Sequence, residues 1–358
     1  MAFDLSSVTV SPDKSIREAV AVINRSGCGI ALVIDREHHL LDTITDGDIR
    51  RALLFNQNLS APVSDLIALK TKSSNSKPVT AAVGTEPAVL LRLMQETVLR
   101  QIPLLDSEGR LVDLVLLDEL LPDQVLPLQA VIMAGGTGER LKPLTEDTPK
   151  PMLKVGDRPL MELIIEQLRD VGIRRVNVTT FHKSEKITDH FGDGSGFGVQ
   201  LNYVTEDRPL GTAGALGLMQ EPQETVLVIN GDILTRVNFR AMLSYHQENR
   251  AALTMAVRKY DLNVPYGVVE GDGAFVRGLV EKPLLNFLVN AGIYLLEPLV
   301  YRYIPNGKHF HMTDLIQSLL DDGHRVASFP ILEYWLDIGN PVDYEQAHED
   351  IKRGTFAS

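Results

Sequence analysis

The feature that most constrains this chain is a glycine loop set directly behind an apolar strand. Ala130–Ala134 is apolar, and Gly135-Gly136-Thr137-Gly138-Glu139-Arg140 follows without a gap. Three glycines in four residues let a chain turn tightly and bring backbone N–H groups against phosphate oxygens with no side chain between them. A lone glycine loop is weak evidence. Here Arg140 and Lys150 add cations at fixed offsets, and Pro143, Pro149 and Pro151 stiffen the segment that carries them. The loop is not a Walker loop, because no Gly-Lys-Ser/Thr follows, and it lacks the immediate helix of the dinucleotide fingerprint.

From Gln129 onward the chain alternates strands and helices, the pattern of an α/β domain. Apolar runs predict strands at Ala130–Ala134, Val176–Thr180, Leu201–Thr205, Val226–Asn230, Leu253–Val257 and Gly292–Leu296. Pro159–Val171 reads as a helix with Leu160, Leu163, Ile164 and Leu168 on one face. The segment after Trp335 reads as one closing helix. His309 and His311 lack a partner at helical spacing and read as loop residues before a helix start at Met312.

At 358 residues the chain suits two domains, divided here as 1–123 and 124–358. Residues 1–123 hold 12 basic and 17 acidic side chains, and the remainder 23 and 30. Neither part carries a basic block, which argues against nucleic-acid binding. No apolar run suggests a membrane span, and Met1–Val10 lacks a basic n-region. Cys28 is the only cysteine, so no intrachain disulfide forms. A cytoplasmic address is expected.

The first third contains a diverged internal repeat. Ile30–Asp35, the turn Arg36–His39 and the strand Leu40–Thr45 recur as Leu104–Asp106, Ser107–Arg110 and Leu111–Leu116, displaced by 71 positions. A helical pattern precedes each copy (Ile16–Asn24, Ala88–Glu96), and a short helix follows near Asp48 or Glu119. Lys70–Pro78 reads as a linker and Leu121–Pro127 as a joint. This layout resembles the paired cystathionine-beta-synthase (CBS) domains. The resemblance implies that Thr45 and Asp48, in Ile44-Thr45-Asp46-Gly47-Asp48-Ile49-Arg50, hold the ribose and phosphate of an adenine nucleotide. Read as isolated residues they are equally well helix N-caps. Leu116 stands where the second copy should carry its hydroxyl, so at most one ligand site is expected.

The string from Gly135 through Pro151 resembles the signature of the sugar-phosphate nucleotidyltransferases. Further segments carry the resemblance in order: Leu210-Gly211-Thr212-Ala213-Gly214-Ala215, Asn230-Gly231-Asp232, Tyr266-Gly267-Val268-Val269, Glu281-Lys282-Pro283, Asn290-Ala291-Gly292-Ile293-Tyr294 and Trp335-Leu336-Asp337-Ile338-Gly339. The resemblance implies a Rossmann-like, mixed-sheet α/β nucleotidyltransferase domain behind a tandem CBS (α+β) module. It implies an NTP and a sugar 1-phosphate as substrates and Mg²⁺ as cofactor. Gly135, Gly136, Thr137, Gly138, Pro209 and Gly211 would line the nucleotide. Arg140 and Lys150 would hold the triphosphate and departing pyrophosphate, and Lys282 the sugar phosphate. Gly267, Glu281 and Asn290 would meet the sugar, and Asp232 and Asp337 the metal. A homo-oligomer is expected.

The chemistry suits these residue types. A sugar-phosphate oxygen attacks the α-phosphorus while pyrophosphate leaves, so anion approaches anion and catalysis is chiefly charge neutralisation and alignment. Each residue alone has a plainer reading: Asp232 and Asp337 as turn carboxylates, Lys282 as a surface lysine. Glu206 stands where thymidylyl and uridylyl members commonly carry Gln. A carboxylate accepts two hydrogen bonds, which matches the paired donors of guanine and favours GTP. With the fused CBS pair, the layout resembles the glucosamine-1-phosphate guanylyltransferases of bacterial legionaminic acid biosynthesis. The alternatives are UTP, CTP or dTTP with another hexose- or heptose-1-phosphate, and a non-catalytic nucleotide-sensing regulatory subunit.

Overall fold

The computed structural model describes residues 4–55, 57–70, 77–97, 99–120, 126 and 128–356. The chain divides into two compact units. One comprises Met1–Val125 and Arg240–Glu248, the other Leu126–Phe239 and Asn249–Ser358.

The first unit runs β1 (Thr9–Val10), α1 (Ile16–Ser26), β2 (Ile30–Ile34), β3 (Leu40–Thr45), α2 (Asp46–Leu54), α3 (Val63–Lys70), β4 (Ala81–Ala82), α4 (Pro87–Thr97), β5 (Gln101–Leu105), β6 (Leu111–Leu116) and α5 (Leu117–Leu120). The repeat is structural as well as sequential. β1 pairs parallel with β2 and β2 antiparallel with β3; β4, β5 and β6 repeat that arrangement. The register slips between Val33 and Ile34 in one copy and Leu104 and Leu105 in the other. Asp35 Oδ1 accepts the N–H groups of Glu37 and His39, and Asp106 Oδ1 those of Glu108 and Arg110. The same side-chain turn thus closes both hairpins. The hairpins meet where Leu111 N–H donates to His38 O at 2.9 Å, over a shared core of Val8, Ile30, Leu32, Leu111 and Leu114. The helix after the first copy starts at Asp46, two residues before the expected Asp48, because Thr45 is its N-cap. Of the expected linker and joint, residues 71–76, 121–125 and 127 lie outside the described residues.

The second unit runs β7 (Gln129–Met133), β8 (Lys154–Val155), β9 (Arg158–Pro159), α6 (Leu160–Asp170), β10 (Arg175–Thr180), α7 (Ser184–Phe191), β11 (Gln200–Thr205), α8 (Gly211–Gly214), β12 (Val226–Asn230), β13 (Ile233–Thr235), β14 (Leu253–Asn263), β15 (Val268–Asp272), β16 (Phe275–Val280), β17 (Leu284–Leu296), α10 (Met312–Asp321), β18 (Val326–Pro330), β19 (Trp335–Asp337) and α11 (Pro341–Lys352). Between β13 and β14 the chain forms α9 (Phe239–Asn249), whose residues 240–248 belong to the first unit. Seven strands form one mixed sheet in the order β11-β10-β7-β12-β17-β14-β18. β7, β10, β11 and β12 are parallel, and β17 is antiparallel to both β12 and β14. Val226–Ile229 is buried at four consecutive positions, as expected of a strand covered on both faces. Leu160, Leu163, Ile164 and Leu168 of α6 are all buried, as their spacing predicts.

Two strands outrun their expected lengths. β14 continues beyond Val257 to Asn263, and β17 begins at Leu284 rather than Gly292. Since β14 and β12 share a direction, this paired extension projects from the sheet edge at which β7 and β12 end. Its exposed side chains lack the buried apolar run that reveals an interior strand.

Candidate active site

The glycine loop leaves β7 at the sheet edge, and its glycines are required by contact. A Cβ at Gly135 would collide with Glu206 Oε1, and one at Gly138, where φ is +68°, would lie 2.8 Å from Thr145 Cγ2. Thr145 Oγ1 donates to Gly138 O at 2.8 Å, tying the loop to the proline-stiffened segment behind it. Lys183 Nζ, at the N-cap of α7, donates to Thr145 O and Glu146 O, and Lys186 Nζ in α7 to Asp147 O. Gly136 and Thr137 are exposed at the loop tip.

Glu206, in contact with this loop, is buried at the end of β11. Its Oε2 accepts the Leu210 N–H at 2.8 Å, which draws the start of the Gly211 loop to the same carboxylate. Burial pushes the Glu206 carboxyl up, with the Leu210 N–H opposing. Pro209 is exposed beside it, and Arg208 donates to Gly307 O at 2.7 Å. Gly211 has a φ of +79°, and a Cβ there would lie 2.7 Å from Phe310 O. Gly135 and Leu210 therefore meet Glu206 from two loops.

The expected metal carboxylates also converge. β13 pairs antiparallel with β19, and Ile338 N–H donates to Asp232 O at 3.0 Å, which makes Asp232 and Asp337 neighbours across a short ribbon. Lys150 Nζ lies 2.5 Å from Asp232 Oδ2. Burial, then the charge of Asp232, raises the Asp337 carboxyl above its ordinary value, while Lys150 and Arg140 pull the other way. Arg140 is exposed and makes no hydrogen bond or ion pair among the described residues; Gly339, beside Asp337, is the glycine whose added Cβ would lie 3.7 Å from its Nη1. Asp232 Oδ1 and Asn230 Oδ1 are buried with no hydrogen-bond partner among the described residues. Unpartnered buried acceptors are costly, and two carboxylates with a bare amide oxygen form the hard-oxygen donor set that suits Mg²⁺. The residues present fit a divalent cation.

The expected sugar-site residues divide into two places. Asn290 sits in β17 near the Asn230 corner, where a Cβ at Gly292 would lie 2.6 Å from Asn230 Nδ2. Its side chain is fixed at both ends, donating to Tyr294 O–H at 2.7 Å and accepting Gly292 N–H at 3.0 Å. Gly267, Glu281 and Lys282 are exposed in the connections that join the extension of β14 and β17, a two-stranded ribbon, to the β15–β16 hairpin. A Cβ at Gly267 would lie 3.0 Å from Glu281 Oε2, and Lys282 holds a φ of +45°, a left-handed conformation costly for a non-glycine residue. Among the described residues, no side-chain hydrogen bond or ion pair involves Glu281 or Lys282.

In the first unit, Thr45 and Asp48 form a reciprocal capping box on α2. Thr45 N–H and Oγ1–H both donate to Asp48 Oδ2 at 2.9 Å. Arg51 Nη2 is 2.5 Å and Lys70 Nζ 3.6 Å from the Asp48 carboxylate, and these cations hold its carboxyl below the usual value despite burial. Lys70 also reaches Asp42 at 3.0 Å and Thr43 O at 2.6 Å.

The sequence reading missed three contributors. Asn230 carries no role by its motif alone, and its bare Oδ1 is visible only in three dimensions. Asp343 accepts the Gly339 and Asn340 N–H groups at 3.1 Å and so fixes the turn behind Asp337; the Asn340-Pro341 step before it was the available helix-start signal. Trp335 Nε1 donates to Ala291 O at 2.9 Å, linking β19 to β17.

A sheet edge that gathers a glycine loop, two cations and two carboxylates offers the charges that a phosphate- and metal-handling site of an α/β transferase would need. Residues 129–354 match the nucleotidyl transferase family model, and the chain belongs to that family. Residues 4–55 match the CBS domain, which covers the first copy of the repeat. The chain is 33% identical over 240 residues to a mannose-1-phosphate guanylyltransferase of Mycobacterium tuberculosis, covering 64% of this chain and 66% of that one. It is 34% identical over 241 residues to a UTP–glucose-1-phosphate uridylyltransferase of Synechocystis, covering 62% of each. It thus spans just under two thirds of these relatives' length. Among solved structures it resembles HddC of Yersinia pseudotuberculosis, with a TM-score of 0.50 at 28% identity, covering 62% of this chain and 99% of that one.

Proposed function

We propose that this chain transfers a nucleotidyl group from an NTP to a sugar 1-phosphate, yielding an NDP-sugar and pyrophosphate. The carrying observation is the Asp232 corner: a carboxylate with one oxygen on Lys150 and the other buried and unpartnered among the described residues, a second carboxylate beside it, and Arg140 near enough to act on that second carboxylate. A divalent cation, Mg²⁺ as the best match to oxygen donors, would be held by Asp232 and Asp337. Bound there, it would neutralise phosphate charge. The chain's own residues supply the rest. The N–H groups of Gly135–Gly138 cradle the phosphates, Arg140 draws off the charge developing on pyrophosphate, and Lys150 fixes the orientation of Asp232. Lys282 meets the sugar phosphate, while Glu281, Gly267 and Asn290 hold the sugar.

GTP is the favoured nucleotide and glucosamine 1-phosphate the favoured acceptor. Support for guanine comes from Glu206, a carboxylate in contact with the glycine loop with Oε1 turned toward it. The uridylyl, cytidylyl or thymidylyl alternative keeps one observation in its favour: Oε2 of that carboxylate is already engaged by Leu210 N–H. A non-catalytic sensing subunit is disfavoured by the convergence of Lys150, Asp232 and Asp337. Residues 1–123 serve as a regulatory module, binding an adenine nucleotide at Thr45 and Asp48 with Lys70 and Arg51 as nearby cations. The enzyme works in the cytoplasm as a homo-oligomer. Among the described residues no helix is long and apolar enough to cross a membrane. Pyrophosphate release across four NTPs and a panel of sugar 1-phosphates tests the reading; a folded protein that releases none with any pair would overturn it.

A further inference from the structure

The candidate nucleotide site of the first unit already holds a carboxylate from far along the chain. Residues 240–248 of α9 belong to that unit, and they bring Glu248 to the first turn of α2. Arg51 Nη1 lies 3.6 Å from Glu248 Oε2, while Arg51 Nη2 lies 2.5 Å from Asp48 Oδ1. One guanidinium thus serves both carboxylates. The backbone places them on the same turn: a Cβ at Gly47, between Asp46 and Asp48, would lie 3.3 Å from Arg51 Nη1 and 3.4 Å from Glu248 Oε2. Glu248 therefore stands over the turn that Thr45 caps.

The charges around this turn leave no place for a further anion. Among the described residues, the ion pairs here join three cations, Arg50, Arg51 and Lys70, to four carboxylates, Asp42, Asp46, Asp48 and Glu248. The cluster is one negative charge in excess with Glu248 seated and balanced without it. The start of a helix attracts an anion through its N–H groups and dipole, and Glu248 fills that role. A phosphate arriving beside it would meet like charge. The contact is also easily broken, since an ion pair at 3.6 Å whose side chains are 43% and 34% exposed is weak. Arg51 would hold a phosphate more strongly, through paired N–H donors.

We propose that Glu248 is an autoinhibitory latch on the Thr45–Asp48 site: it holds Arg51 in place of the ligand's phosphate and leaves when an adenine nucleotide binds. The exclusion is mutual by linkage, so whatever factor Glu248 takes from nucleotide affinity, the nucleotide takes from the seating of Glu248. The latch has a route to the chemistry along the chain. α9 begins at Phe239, shortly after β13 ends at Thr235, and β13 begins directly after Asp232. The helix that carries the latch is thus the next element after the strand that follows a proposed metal carboxylate. The inference rests on the nucleotide reading of Thr45 and Asp48 and specifies how that site is gated.

Calorimetric titration of the full chain with AMP tests it, AMP lacking the triphosphate that the catalytic reading requires. Glu248→Ala and Glu248→Gln should each bind AMP about 5- to 30-fold more tightly than wild type, because both remove the competing charge. Gln247→Ala, at the exposed neighbour, should bind as wild type does. AMP should also change the rate of pyrophosphate release by wild type, and both Glu248 variants should run without AMP at the rate of AMP-loaded wild type. Equal AMP affinity in wild type and both Glu248 variants would overturn the latch and leave the nucleotide reading standing. Tighter binding in Glu248→Ala alone would trace the effect to bulk and overturn the competition with phosphate. AMP binding by none of these proteins would overturn the nucleotide reading and the latch with it.

Discussion

The corner around Asp232 and the ribbon around Lys282 serve two ends of one proposed reaction, yet they are built in opposite ways. At the corner the carboxylates and the loop are set by neighbours: Lys150 on Asp232, the β13–β19 pairing behind Asp337, Thr145 under Gly138. In the connections beside the ribbon, Gly267, Glu281 and Lys282 are exposed and the two side chains that can pair are without partners among the described residues. Phosphoryl chemistry needs charges preorganised in a dry site, because their effect depends on fixed geometry. Sugar recognition tolerates exposed side chains that gain partners with their ligand, and Glu281 and Lys282 are of that kind. The difference teaches that the two ends should respond differently to substitution, one in turnover and the other in substrate affinity.

The largest expected effect is at the corner. Asp232→Asn should cut turnover by roughly 10³-fold or more while leaving the fold intact, since it removes charge from the metal donor set and the partner of Lys150. The thermal upshift that wild type shows with Mg²⁺ should disappear in the variant, a readout separate from activity. Equal upshifts in both would relocate the metal.

Backbone approach should matter next. Gly135→Ala should lower kcat/KM by about 10²-fold, because its methyl must displace Glu206 and with it the loop's alignment. If the variant matches wild type, the loop is not held as tightly as its contacts indicate.

The ribbon should show the contrasting signature. Lys282→Ala should raise the KM for the sugar phosphate about 10- to 100-fold with a smaller change in kcat, as expected for one lost charge-assisted contact. A loss confined to kcat would make Lys282 part of the corner's chemistry and collapse the comparison.

Base discrimination sharpens it further. Wild type should prefer GTP over UTP by roughly 30-fold or more, and Glu206→Gln should erode that ratio, because an amide offers a donor to a donor. Burial raises the Glu206 carboxyl, so its charge is lost on acidification at a higher pH than that of an exposed glutamate. The wild-type GTP/UTP ratio should therefore fall toward the acid side while that of Glu206→Gln stays flat. Parallel profiles would clear Glu206 of reading the base.

Much of the corner was legible in the sequence because its chemistry is carried by contiguous motifs. The strand before Gly135, the buried run ending at Asp232 and the apolar face of α6 all announce themselves by burial periodicity. What stayed hidden depends on short or exposed pairing. β13 and β19 have three residues each, too few for any period, yet their pairing is what makes Asp232 and Asp337 neighbours. The extension of β14 and β17 has its apolar side chains in water, so its pattern stopped at Val257 and resumed only at Gly292. The first third was legible as a repeat, and its Asp35 and Asp106 turns show why: the same carboxylate closes the same hairpin twice.

The most direct test of the central claim is pyrophosphate release by the full chain, with NTP, sugar 1-phosphate and Mg²⁺ each omitted in turn. The account predicts release that requires all three, is fastest with GTP, and falls by roughly 10³-fold in Asp232→Asn. Release that proceeds equally without the sugar phosphate, or that survives unchanged in Asp232→Asn, would contradict it.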